Sequence, residues 1–235
     1  MRRPVLITAA AALASATGLA AQETGSIIKR YTPAEIPDNA SMTPEQRAQV
    51  VMNAFAACVV QRSRRTAERL AATAPGSPEE GKLVVSSATP DCLGEGQLRF
   101  QPVLMRGGVF EALYRSDYAK AAPTGVPERA AIPYGGYASD LLPPDRQQRV
   151  ALLQFADCVT RKDPAAVRAL VLSRVASRRE DAALADLQPA LGGCLTAGRT
   201  LRFTRTTVRG MLAETLYRLS RAPASSTAPA SGTNS

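Results

Sequence analysis

One stretch of this chain is written twice. Phe55-Ala56-Ala57-Cys58-Val59 returns as Phe155-Ala156-Asp157-Cys158-Val159, and Cys92-Leu93 returns as Cys194-Leu195. Leu98-Arg99-Phe100 returns as Leu201-Arg202-Phe203, and Arg106-Gly107 as Arg209-Gly210. Glu111-x-Leu113-Tyr114-Arg115 returns as Glu214-x-Leu216-Tyr217-Arg218. Order is kept, and the offset drifts only from 100 to 103. A unit of roughly 75 residues that recurs in this way is the mark of a duplicated architecture. Residues 43–118 and 145–221 are therefore expected to form two tandem homologous units.

Each helix boundary is marked in both units. Thr43-Pro44-Glu45-Gln46 offers a cap, a proline suited to the first helical position, and a side chain able to reach back as a capping box. Val50, Val51, Ala54, Phe55 and Cys58 then recur at helical spacing. Ser63 and Asp163 cap a second helix. Ser77-x-x-Glu80 and Ser177-x-x-Glu180 open a third with the same capping-box pattern, followed by a proline-containing turn to the second cysteine. Gln101 and Thr204 cap a fourth, with Pro102 first in its helix. Gly107 and Gly210 interrupt that fourth helix at equivalent places. A mid-helix glycine costs about 1 kcal/mol, and close approach of another helix is the usual compensation. No run alternates long enough to demand a sheet. The expected fold is all-α, with about four helices per unit.

The flanks differ in kind. Arg2, Arg3, an alanine-rich apolar stretch and Gly18-Leu19-Ala20 read as an export signal over residues 1–20. Two arginines fit a general basic n-region better than a twin-arginine address. Residues 21–42, with Tyr31, Pro33 and Pro37, form an irregular leader. Residues 119–144, with five prolines and Tyr134-Gly135-Gly136-Tyr137, form a linker through which no regular helix can run. Residues 222–235 are Ala, Pro, Ser, Thr and Gly with one Asn, too poor in apolar bulk to offset chain entropy. No later stretch is expected to cross a membrane. The chain is expected to be periplasmic or secreted.

The four cysteines fall two per unit, and an exported chain meets an oxidising compartment. A unit that folds as a unit carries its own bridge, which pairs Cys58 with Cys92 and Cys158 with Cys194. A link between Cys58 and Cys158 is the main competitor, because spacing alone does not fix connectivity. There is no histidine. Ser-His-Asp and Cys-His catalysis are thereby excluded, no zinc spacing is present, and no Cys-x-x-Cys suggests redox work. No cofactor or metal is expected. Glu111 and Glu214 are the carboxylates repeated within the fourth helix, with Tyr114 and Tyr217 three residues on. They are candidates for acid–base chemistry, but Glu111 with Arg115 and Glu214 with Arg218 also make i,i+4 ion pairs in the favourable order. That structural reading is preferred, and the chain is read as a non-enzyme.

Formal charge is +9 over the whole chain and uneven, with a net +2 over residues 46–118 and +8 over residues 146–222. Arg99, Arg106, Arg202 and Arg209 recur in both units and are candidate anion-binding forks; pairing with a glutamate of a neighbouring helix, or capping of helix carbonyls, is the preferred alternative. Arg174, Arg178 and Arg179 lack counterparts in the first unit and are further anion-binding candidates. Outside the cytoplasm the expected partner is an anionic envelope component or another protein, not nucleic acid.

The Phe-Ala-x-Cys-Val opening, with its Leu-Arg-Phe, Arg-Gly and Leu-Tyr-Arg close, resembles secreted bacterial proteins of uncharacterised function that carry a duplicated cysteine-containing helical repeat. The resemblance spans both units and implies a compartment, not a mechanism. The expected function is that of an exported, non-enzymatic envelope or interaction module with a cationic second repeat. A carboxylate-dependent enzyme using Glu111 and Glu214, and a carrier of a small apolar ligand, are the alternatives.

Overall fold

The punctuation read from the sequence places helix after helix in the computed structural model, which describes residues 42–93, 101–134, 142–195 and 203–224. All of them belong to one compact unit, Tyr31–Ser235. Ten helices and no strand occur among the described residues: α1 Pro44–Arg62, α2 Arg64–Ala72, α3 Pro78–Ser86, α4 Pro90–Leu93, α5 Pro102–Tyr118, α6 Pro144–Lys162, α7 Pro164–Leu172, α8 Arg178–Asp186, α9 Gln188–Cys194 and α10 Arg205–Arg221. Lengths match between the halves. α1 and α6 have 19 residues each, α5 and α10 have 17.

The caps act as their chemistry dictates. Thr43 and Gln46 close a reciprocal capping box on α1. Ser63 accepts from the Thr66 amide on α2, and Asp163 from the Ala166 amide on α7. Thr204 caps α10, whereas Gln101 makes no side-chain cap on α5. Two expectations change. The proline turn before the second cysteine is itself a short helix, α4 or α9, so each half holds five helices and not four. Glu80 and Glu180 do not complete reciprocal boxes with Ser77 and Ser177. Each reaches one residue further back, to the amide of Gly76 (2.5 Å) or Ala176 (2.7 Å). Those two residues hold left-handed φ of 72° and 56°, a conformation cheap for glycine and strained for alanine. The turn places both carboxylates in the interior.

Both disulfides lie within halves, Cys58–Cys92 and Cys158–Cys194, with Cα–Cα separations of 5.7 and 5.9 Å. They fasten α1 to α4 and α6 to α9. Closing loops of this size stabilises by about 3–4 kcal/mol each on the chain-entropy model.

α5 and α10 are the two central helices: they pack on each other, α5 also against α1 and α2, and α10 also against α6 and α7. One continuous core holds Phe55, Met105, Phe110 and Leu113 from the first half together with Phe155, Leu170, Leu212 and Leu216 from the second. Burying a side chain of this size contributes about 1.5–3 kcal/mol. The sequence left open whether 43–118 and 145–221 are separate bodies, and the core they share makes them one. Gly107 and Gly210 are the point of closest approach. A Cβ placed on Gly107 would lie 2.6 Å from the Gly210 Cα, and one on Gly210 would lie 3.0 Å from the Gly107 Cα. The neighbour each glycine requires is the other glycine.

This arrangement separates helical glycines into two kinds. Nothing lies within 4 Å of a Cβ added at Gly81 in α3 or Gly192 in α9. Gly81→Ala and Gly192→Ala are expected to stabilise by up to about 1 kcal/mol, since alanine removes backbone freedom from the unfolded chain. Gly107→Ala and Gly210→Ala should instead destabilise by about 1–3 kcal/mol, because the obstacle is backbone and cannot turn aside. Denaturant titration of the four oxidised variants checks this, and equal shifts at all four positions would refute the crossing.

Candidate functional site

The chemistry-bearing side chains repeated in the sequence meet at this crossing, and they exchange partners. Arg106 of α5 grips Glu214 of α10 with both arms of its fork, Nε to Oε2 at 2.7 Å and Nη2 to Oε1 at 2.8 Å. Arg209 of α10 grips Glu111 of α5 in the same way, at 2.7 and 2.8 Å. All four residues are buried. The i,i+4 pairs expected from the sequence are present as well: Arg115 donates to Glu111 at 3.0 Å and Arg218 to Glu214 at 2.9 Å. Each glutamate is thus held by one arginine of its own helix and one of the other.

The arginines also terminate helices. Arg106 donates to the Thr73 carbonyl and Arg209 to the Val171 and Ser173 carbonyls, each at the end of a helix in its own half. Arg115 donates to the Leu172 and Ser173 carbonyls and Arg218 to the Ala71 carbonyl, each in the opposite half. The last carbonyls of α2 and α7, which have no partner inside their helices, are therefore satisfied from both sides. Glu80 and Glu180 complete the two clusters. Arg209 donates to Glu180 at 2.9 Å, Gln49 donates to Glu180 at 3.3 Å, and Arg106 approaches Glu80 at 3.6 Å. Each cluster contains two arginines and two glutamates, so its formal charge cancels.

Charge balance decides what these groups do. A general acid or base needs a proton it can exchange near its working pH, and a cation held against a carboxyl pushes it the other way by favouring the ionised form. At Glu214 burial acts to raise the pKa, but the charges and hydrogen bonds of Arg106 and Arg218 prevail and hold it below the ordinary glutamate value. Arg209 is opposed by burial and held above its ordinary value by Glu111 and Glu180. The acid–base groups are dispersed, too. Glu111 lines a cleft of about 340 Å³ and Glu214 a hollow of about 30 Å³. Tyr114 and Tyr217 line two further cavities. The Tyr217 hydroxyl donates to Asp117 at 3.3 Å and accepts from Arg221 at 2.8 Å, so protein groups hold it on both sides.

Of the seven arginines singled out as anion-binding candidates, Arg99 and Arg202 lie outside the described residues. Arg106 and Arg209 occupy the structural alternative: their forks are filled by interior carboxylates and carbonyls. Arg174, Arg178 and Arg179 are exposed on the turn and first residues of α8, with no ion pair among the described residues. Sequence reading missed Gln49, Glu80 and Glu180. The signal was a glutamate repeated at an offset of 100, and the capping pattern absorbed it.

No group of His, Cys, Asp or Glu able to hold a metal occurs among the described residues, and no described helix is long and apolar enough to cross a membrane. No protein-family model matches the chain, and no curated protein or solved structure matches it.

Proposed function

We propose that this chain is an exported, periplasmic or secreted protein made of two copies of one helical unit, related by an approximate two-fold axis through the Gly107–Gly210 crossing. It works by contact and not by turnover, with the cationic face of the second copy set against anionic envelope material. Equal helix lengths, one bridge per half and the reciprocal ion pairs support the two-copy reading. Disulfides support export into an oxidising compartment. The observation that carries the contact reading is where charge is left over. Interior charges cancel, whereas Arg174, Arg178 and Arg179 stand on the surface where the first half has Ala74, Pro78 and Glu79.

Exposed basic residues gain about 1 kcal/mol each near an anionic membrane, and salt screens this over a Debye length of about 10 Å at 0.1 M. The purified oxidised chain should therefore bind vesicles containing phosphatidylglycerol at low salt and release them as salt rises. Changing Arg174, Arg178 and Arg179 together to Glu should weaken binding severely. Reversal of the exposed Arg65, Arg69 and Lys82 in the first half should do much less. Equal losses from the two triple variants, or no binding at low salt, would refute the reading. A carrier of a small apolar ligand is a second reading, favoured by a cleft of about 450 Å³ between α2, α10 and the linker, lined by Phe110, Ile132 and Pro133.

A further inference from the structure

The two tyrosines repeated in the central helices are held differently, and the difference leaves a buried polar group unused. Tyr217 has its hydroxyl tied on both sides, by Asp117 of α5 and by Arg221 of its own helix. At the offset of 103, the counterparts of Asp117 and Arg221 are Ser220 and Tyr118. Neither serves Tyr114. The Ser220 hydroxyl donates to the Leu216 carbonyl at 2.6 Å, and the Tyr118 hydroxyl to the Ser220 carbonyl at 3.5 Å. The Tyr114 hydroxyl is fully buried and has no hydrogen-bond partner. Burial pushes its pKa above the ordinary tyrosine value, so at neutral pH it keeps its proton and can donate.

A second unused donor stands beside it. Arg168 of α7 occupies the position that Glu68 holds in α2. Its Nη2 grips the Tyr118 and Ala119 carbonyls at 3.1 and 2.9 Å, which fixes the guanidinium against the end of α5. Its Nε is buried and donates to nothing. Its charge acts on the Tyr114 phenol, although no hydrogen bond of normal geometry joins the two. Buried donors without acceptors are costly and rare in folded proteins.

Both side chains line one cavity of about 360 Å³ between α5, α7, α10 and the linker. Pro123, Val126, Pro127, Pro164 and Leu216 supply an apolar wall, and no acidic side chain lines it. The linker side is pinned from behind, by Arg129 on the Thr124 carbonyl and Arg161 on the Pro127 carbonyl. A small-molecule site has this form: an apolar hollow of a few hundred Å³ with a few convergent polar groups. The polar groups select the head of the ligand. Two donors beside an arginine call for an anionic acceptor, and a carboxylate offers two oxygens. The walls, with nothing to donate or accept, select an apolar body.

We infer that this cavity binds a small carboxylate with an apolar body, its oxygens accepting from the Tyr114 hydroxyl and the Arg168 Nε, its body against Pro123, Val126, Pro164 and Leu216. The site is separate from the cleft over Phe110 and from the exposed arginines of α8. It stands whether or not the chain meets anionic envelope material.

The test titrates the full oxidised chain with decanoate by calorimetry, with decanol and acetate beside it. One decanoate per chain should bind. Decanol lacks the charge and acetate lacks the apolar body, so each should bind about tenfold more weakly or worse. Tyr114→Phe keeps the ring and removes a hydroxyl that nothing in the protein uses. Without decanoate it should melt no lower than the parent, yet it should bind decanoate several-fold more weakly. Arg168→Gln should weaken binding about tenfold or more. Tyr217→Phe, at the other tyrosine, and the triple change of Arg174, Arg178 and Arg179 to Glu should leave binding as it is. No decanoate binding, equal binding of decanol or acetate, or a loss caused by Tyr217→Phe or the triple change but not by Tyr114→Phe would overturn the assignment.

Discussion

Expressed alone in an oxidising compartment, residues 43–118 and 145–221 are expected to give no cooperatively folding monomer. The sequence left the point open, since each half has its own caps and its own bridge. The structure shows what each would lack. Without α10, α5 would expose Phe110 and Leu113, and Arg106 and Glu111 would lose their cross-helix partners. Stranded buried charge is strongly destabilising, and a domain's whole stability is only about 5–15 kcal/mol. A second copy of the same half can supply what is missing. Arg106 reaches Glu214, the counterpart of Glu111, so two first halves crossed at Gly107 would pair Arg106 with Glu111 in both directions. Such self-complementarity is what a two-fold dimer requires. Any folded fragment should therefore be a dimer whose melting point rises with concentration. Sedimentation and circular-dichroism melts at several concentrations check this. A sharp, concentration-independent melt from a monomeric fragment would refute it.

Local features were legible in the sequence to the degree that their causes are local. Thr43 with Gln46, Ser63, Asp163 and Thr204 cap where expected, because a cap needs only the three residues beyond it. The disulfides pair as expected from two cysteines in each half. Gly107 and Gly210 announced that something comes close, but not that each is the other's neighbour. A glycine records the absence of a side chain and says nothing of who benefits. Arg106, Glu111, Arg209 and Glu214 were visible as repeated residues: i,i+4 partners accounted for the glutamates, and pairing with a glutamate of a neighbouring helix was expected of the arginines, but not which glutamate. The longer-range partners leave no periodic trace. They exist because two helices cross at one point, and that point is fixed by the whole core. Glu80 and Glu180 were hidden for a different reason. Their capping pattern was real, since Ser77 and Ser177 do accept from their amides. The side chain, however, was committed one residue further back and inward.

The second large effect concerns Arg209. Replacing it with Met, of similar length and no charge, should destabilise by about 3–5 kcal/mol, since it strands carboxylates in the interior. Glu111 keeps Arg115, but Glu180 keeps only neutral partners, Gln49 and the Ala176 amide. Adding Glu180→Gln should therefore recover part of the loss, because the stranded charge is removed with its partner. Arg218→Met should cost less: its side chain is 21% exposed and Arg106 remains on Glu214. Acid probes the same network with the opposite charge. Glu214 is held below its ordinary pKa by Arg106 and Arg218 against the effect of burial, and Asp117 is held low by its hydrogen bonds to Arg64. A carboxyl depressed in the folded state contributes stability that is present above its unfolded value, about 4 for these residues, and lost as pH falls below it. Denaturant midpoints should stay level from neutral pH to about 5 and then fall. Glu214→Gln should flatten that fall while lowering stability at pH 7. An Arg209→Met chain as stable as the parent would mean that hydrophobic packing alone sets the crossing, and that the charges paired there contribute nothing to holding the halves together.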